Sequence, residues 1–88
     1  MTLEKVLSSV GMTVFIKYYY YFRDKSREEC IDAISEVYSD KSKRARTSHA
    51  KRIFREGKQR EALEIILSSH RVDVAMKQQA EKIIKAGI

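Results

Sequence analysis

Nine basic side chains and one acidic one fall between Lys41 and Arg60, in the run K-S-K-R-A-R-T-S-H-A-K-R-I-F-R-E-G-K-Q-R. Ammonium and guanidinium groups at this density bind anions, and a line of them suits a polyanion such as a phosphate backbone. At 100° per residue, Lys41, Arg44, Ser48, Lys51, Arg52 and Arg55 fall within an arc of about 100°. Ser42, His49, Ala50, Ile53 and Phe54 project on the opposite side. The pattern predicts a cationic helix face with no acid to neutralise it, on a helix of roughly 22 Å that can follow a phosphate backbone or enter a major groove. A face that only keeps a protein solvated mixes both signs. The expected function is therefore nucleic-acid binding, in the manner of a small regulator, with DNA and RNA left open. The alternative is a helical interaction module that uses the same face on an acidic protein partner, without nucleic acid.

Arg46 stands apart from these cations and projects with Ala50 and Ile53. An unpaired charge on an apolar side is costly, so an ion pair with Asp32 or Glu36 of the preceding segment is expected there.

The remaining reactive side chains assemble no local motif. His49 and His70 belong to no H-x-x-x-H or H-E-x-x-H spacing, and Cys30 is the sole thiol. No catalytic, metal or cofactor signature is present, so the expectation is a protein that is not an enzyme and carries no cofactor or metal. Cys30 reads as a small core hydrophobe, and a single cysteine without zinc-ligand spacing fits a reducing cytoplasm.

The charge is confined to one segment. Residues 1–40 carry five basic and seven acidic groups, residues 61–88 four of each, and residues 41–60 carry net +8 within a total of +6. The elements that must position this segment follow from periodicity. Proline is absent and glycine occurs only at Gly11, Gly57 and Gly87, which favours helices joined by short polar turns. The prediction is one all-α domain over residues 1–88, a compact bundle of about five amphipathic helices without a sheet, burying roughly 60–65% of its unfolded surface.

The first helix is expected over about Leu3–Phe22 with Thr2 as N-cap, and the second over about Arg27–Tyr38, opened by the capping box of Ser26 and Glu29. Cys30, Ile31, Ile34, Val37 and Tyr38 would form the core side of the second. The third, the basic helix, follows a Ser39 or Ser42 cap and ends at Glu56 before Gly57. The fourth spans about Lys58–Ser68, and the fifth is capped by Asp73, with Met76, Ala80, Ile83 and Ile84 facing the core. If the second and third formed a helix-turn-helix, the basic helix would be the reading member.

The segment Val6–Phe22 is apolar but holds Ser8, Ser9, Gly11, Thr13 and Lys17, and is shorter than the roughly 20 residues of a membrane span. The start M-T-L-E-K lacks a basic leader, so neither a membrane segment nor a signal peptide is expected. Projected as one helix, this segment has two apolar stripes. Leu3, Leu7, Val10, Val14, Tyr18 and Tyr21 form one, flanked by Gly11 and Phe22. Met12, Ile16 and Tyr19 form the other, with Phe15 and Tyr20 on its borders, and Met12, Ile16, Tyr19 and Tyr20 are the residues expected at an interface between copies. A helix apolar on both sides is either central in the core or buried against another molecule. The second stripe is accordingly either core or the interface of a homodimer, which would duplicate the basic helix for two half-sites.

Overall fold

The computed structural model describes residues 2–87, and the described residues form seven helices and no strand. These are α1 (Leu3–Val10), α2 (Met12–Lys17), α3 (Tyr19–Asp24), α4 (Arg27–Ala33), α5 (Asp40–Arg55), α6 (Gln59–Ser68) and α7 (Val74–Lys85). The all-α class holds. The count rises from five to seven because the expected first helix is broken twice.

The first break is at Gly11, where φ is 92° and ψ 121°. The chain closes α1 there, with the Gly11 N–H donating to the Leu7 carbonyl at 2.9 Å, and restarts as α2. A glycine is needed on two counts. The positive φ disfavours any side chain, and a Cβ would lie 2.9 Å from Nη1 of Arg46. The second break is at Tyr18 (φ −113°, ψ 23°), between α2 and α3.

These breaks change which apolar residues face inward. Val14, Phe15 and Ile16 are buried from α2, and Tyr19 and Phe22 from α3. Of the four positions expected at an interface between copies, Ile16 and Tyr19 are covered by the chain itself, at 3% and 1% exposure, and Met12 is half-buried. Only Tyr20 is exposed. Tyr21, expected in the core stripe, is exposed as well. A straight projection at 100° per residue does not survive the breaks at Gly11 and Tyr18, which is why both stripes are re-sorted.

Rings fill the centre. Phe15 meets Tyr19 edge-on at 5.6 Å and stacks with Phe54 of α5 at 5.7 Å, while Tyr19 meets Phe54 at 5.0 Å. Leu7, Val10, Ala50, Ile53, Leu63, Ile66, Ala80 and Ile83 complete a core to which α1, α5, α6 and α7 all contribute.

α4 opens with the expected capping box: Ser26 Oγ accepts from the Glu29 N–H, and the Glu29 carboxylate accepts from the Ser26 N–H. It ends at Ala33, well short of Tyr38. The Ser35 N–H donates to the Tyr18 hydroxyl at 3.1 Å, and that hydroxyl donates to Glu36 Oε1 at 2.6 Å. The tyrosine thus takes the loop out of helical geometry, and Val37, expected in the core, is fully exposed.

α5 keeps its expected bounds. Ser39 Oγ accepts from the Ser42 N–H at its start. At its end Gly57 adopts φ 69°, with Lys58 N–H bonded to the Ile53 carbonyl and Gly57 N–H to that of Phe54, a Schellman closure. Asp73 caps α7 by accepting from the Met76 N–H at 2.9 Å.

Two stability measurements follow. Gly11→Ala keeps the strained φ and forces the Arg46 guanidinium aside, so urea unfolding is expected to show a loss of roughly 1–3 kcal/mol; an unchanged midpoint would contradict the geometry. Tyr19 places a hydroxyl with no hydrogen-bond partner among the described residues in the core, and burial pushes its phenol up to about 12. Above the ordinary value of 10.0 the unfolded chain ionises first, so stability falls as pH rises toward about 12. Tyr19→Phe removes both penalties. It should gain up to about 1 kcal/mol at pH near 8 and lose less stability than the wild type between there and pH near 11.

Candidate functional site

α5 is the longest helix, 16 residues or about 24 Å. Its inner side is set by Thr47, Ala50 and Ile53, all buried, with Phe54 half-buried beside them. Arg46 belongs to this inner side. Its Nη1 donates to the Val10 carbonyl at 2.7 Å, its Nε to Ser42 Oγ at 3.1 Å, and its guanidinium lies 4.0 Å from the Tyr38 ring centroid. The expected ion pair with Asp32 or Glu36 is therefore replaced. An unsatisfied carbonyl at the end of α1 and a ring face neutralise this cation, because a helix C-terminus carries partial negative charge. Glu36 is engaged elsewhere, by Tyr18 and by Lys17 at 3.1 Å. Those two contacts, the tyrosine hydroxyl first, hold its carboxyl below the usual range.

With Arg46 fixed inward, the opposite face of α5 points to solvent. Lys41, Ser48 and Arg55 are exposed, and Arg44, Lys51 and Arg52 are half-buried, so all six predicted side chains lie away from the buried side. They are not all free of acids. Arg44 pairs with Asp40 at 2.8 Å and Glu28 at 3.2 Å, and Arg52 pairs with Glu56 at 2.9 Å. Asp40 raises the Arg44 pKa, and Arg52 lowers that of Glu56. The expected acid-free face is thus corrected. Asp40 and Glu56 lie at the two ends of α5, just outside the cationic arc, and Glu28 comes from α4. Among the described residues Lys41, Lys51 and Arg55 enter no ion pair.

The flank of α5 that bears Arg44, Ser48 and Lys51 meets the start of α4. Arg27 Nε donates to Ser48 Oγ at 3.2 Å, and Lys51 Nζ donates to the Lys25 carbonyl. These contacts add Lys25 and Arg27 to the basic surface, two cations that the periodicity of α5 alone does not reveal. Their signal was the capping box itself, since it fixes Arg27 in the first turn of α4 and Lys25 just before the cap. The link between α4 and α5 runs over six residues, 34–39, longer than the three or four of a helix-turn-helix.

A recess lies elsewhere. About 540 Å³ opens between α1, α6 and the link that follows α6, lined by Glu4, Ser8, Met12, Glu64, Ile65 and Arg71 among others. Two carboxylates face it, so it offers no seat for a polyanion. Among the described residues no three His, Cys, Asp or Glu side chains come together as a metal would require, and no helix is long and apolar enough to cross a membrane. Cys30 is buried with its Sγ 3.0 Å from the Tyr21 carbonyl, and burial pushes its thiol up, away from the reactive thiolate.

Compared with models of protein families, with curated proteins and with solved structures, the chain matches none.

The Arg44 pairs give a direct check of the charge map. Glu28→Gln removes one carboxylate from Arg44 and is expected to raise the salt needed to elute the protein from a heparin column, with the melting temperature nearly unchanged, because exposed ion pairs contribute little to stability. Elution at the same salt would show that Glu28 does not offset this face.

Proposed function

We propose that the protein binds nucleic acid, with the outward face of α5 and the Lys25–Arg27 segment contacting backbone phosphates. The observation that carries this reading is the row Lys41, Lys51 and Arg55, three cations on one side of a single helix that enter no ion pair among the described residues. Across the α4 junction Lys25 adds a further cation that enters no ion pair among the described residues, and Arg27 adds one that reaches Glu28 at 3.7 Å.

The neighbouring arginines support it. Arg44 and Arg52 keep acid-paired side chains that are each 41% open to water, and such pairs exchange readily with a phosphate because each is stabilised by little in water. Phosphate contacts of this kind position a protein without reading sequence. The affinity they generate comes from counterion release, so it falls steeply with salt.

The test is binding of labelled duplex DNA, duplex RNA and single strands across a salt series from about 50 to about 200 mM. Lys41→Glu combined with Arg55→Glu is expected to weaken binding at least tenfold at the low end and to reduce the salt slope by about 2. Stability should hold, since both side chains are exposed. Absence of binding to every one of these polymers at low salt overturns the proposal and returns the face to an acidic protein partner.

A further inference from the structure

Tyr20 and Tyr21 are the two rings the core does not take, at 43% and 45% exposure. They sit on α3, whose buried side is Tyr19 and Phe22. Tyr20 meets Tyr19 at 5.3 Å, and Tyr19 meets Phe54, the residue before Arg55, at 5.0 Å. Arg23 lies 4.8 Å from the Tyr20 centroid. Its guanidinium is pinned by two bonds to Asp24, at 2.8 and 2.9 Å. From the far end of α3 the chain passes directly to Lys25, whose carbonyl receives Lys51. The ring-bearing helix is therefore tied to α5 at two points, on the inner side of α5 through Phe54 and on its basic flank through the Lys25 carbonyl.

We infer that this surface takes single-stranded nucleic acid, with bases stacked on Tyr20 and Tyr21 and the strand's phosphates drawn to Lys25, Lys51 and Arg55. The inference rests on the nucleic-acid reading above and narrows it to one substrate class. Base-to-aromatic stacking tolerates any base, because every base has a π-face, and it needs bases that are not already stacked in a duplex. A guanidinium plane is itself a stacking platform, so Arg23 beside Tyr20 adds to the surface a base can meet. Asp24 cancels the charge of Arg23. Attraction for phosphate must then come from the unpaired cations beside it.

Two structural features disfavour the competing occupants. A duplex groove would have to admit α5 with α4 fastened along one of its flanks by the Arg27–Ser48 and Arg44–Glu28 contacts. A second copy of the chain would need about 800 Å² per partner, whereas two rings less than half exposed offer on the order of 200 Å². Arg23, Asp24 and Lys25 border those rings with charge rather than with further apolar area.

The chain has five tyrosines and no tryptophan, so its intrinsic emission reports the tyrosines alone. Titration with an oligothymidylate strand is expected to quench that emission. Tyr20→Ala with Tyr21→Ala should weaken strand binding by about 5- to 150-fold and leave weak duplex binding unchanged, while Tyr20→Phe with Tyr21→Phe retains strand binding. Circular dichroism confirms that each variant is folded, and the phenylalanine pair keeps the test valid if the alanine pair is not.

Strand binding that is unquenched and equal in the alanine pair overturns the stacking site and leaves the phosphate-binding face standing, as does a preference for duplex. Failure to bind any nucleic acid at low salt overturns the underlying reading instead.

Discussion

The guanidinium of Arg46 at the end of α1 is the contact on which the arrangement depends. It ties the last carbonyl of α1 at Val10 and the Tyr38 ring of the loop before α5 to α5, with Ser42 one turn earlier as its second acceptor, beside the apolar cluster that Leu7 and Val10 share with Ala50 and Ile53. It also dictates the glycine at position 11, since any Cβ there would collide with it. Lysine could not substitute. The site uses a planar fork that donates in two directions and stacks on a ring, which an ammonium on a flexible stem does not reproduce. Once Arg46 is turned inward, the rotation of α5 about its axis is fixed, and with it the direction in which Lys41, Ser48 and Arg55 project.

The aromatic segment folds as three short helices around two breaks. After the break at Gly11, α2 buries Phe15 and Ile16, and beside the second break the Tyr18 hydroxyl holds the loop at Ser35 and Glu36. Each break thus exchanges helical continuity for a tertiary bond. The cost is that not every ring of the tyrosine run can be covered. Tyr18, Tyr19 and Phe22 are buried, and Tyr20 and Tyr21 stay outside, with Arg23 over the Tyr20 ring.

How much of this was legible in the sequence depended on how local the deciding interaction is. The caps of α4, α5 and α7 and the Gly57 closure involve residues at most five apart, and they were readable to within a residue. The Gly11 break was not. Apolar spacing continues through it at three and four, and the group that decides it lies 36 residues from Val10 along the chain. The early end of α4 was hidden for the same reason, because Tyr18, 17 residues before Ser35, competes for that N–H. Of the candidate site, the six α5 side chains followed from helical geometry alone. Asp40 and Glu56 sit four residues from Arg44 and Arg52 and were local too, whereas Glu28, Lys25 and Arg27 reach α5 only through the packing of α4.

The nine basic residues of the charged segment therefore do not act as one patch. Arg46 is internal, and Arg44, Arg52, Lys58 and Arg60 each lie within reach of a carboxylate. Formal net charge overstates what a ligand would meet close to the surface, where individual pairs are resolved, yet it governs the field at a distance, where each pair looks neutral and only the excess remains. That excess is still positive and still concentrated on α5. A polyanion would be steered by the whole segment but held by few of its members, and the positioning of those few traces back through the helix to Arg46 and to the buried Thr47, Ala50 and Ile53 on its other side.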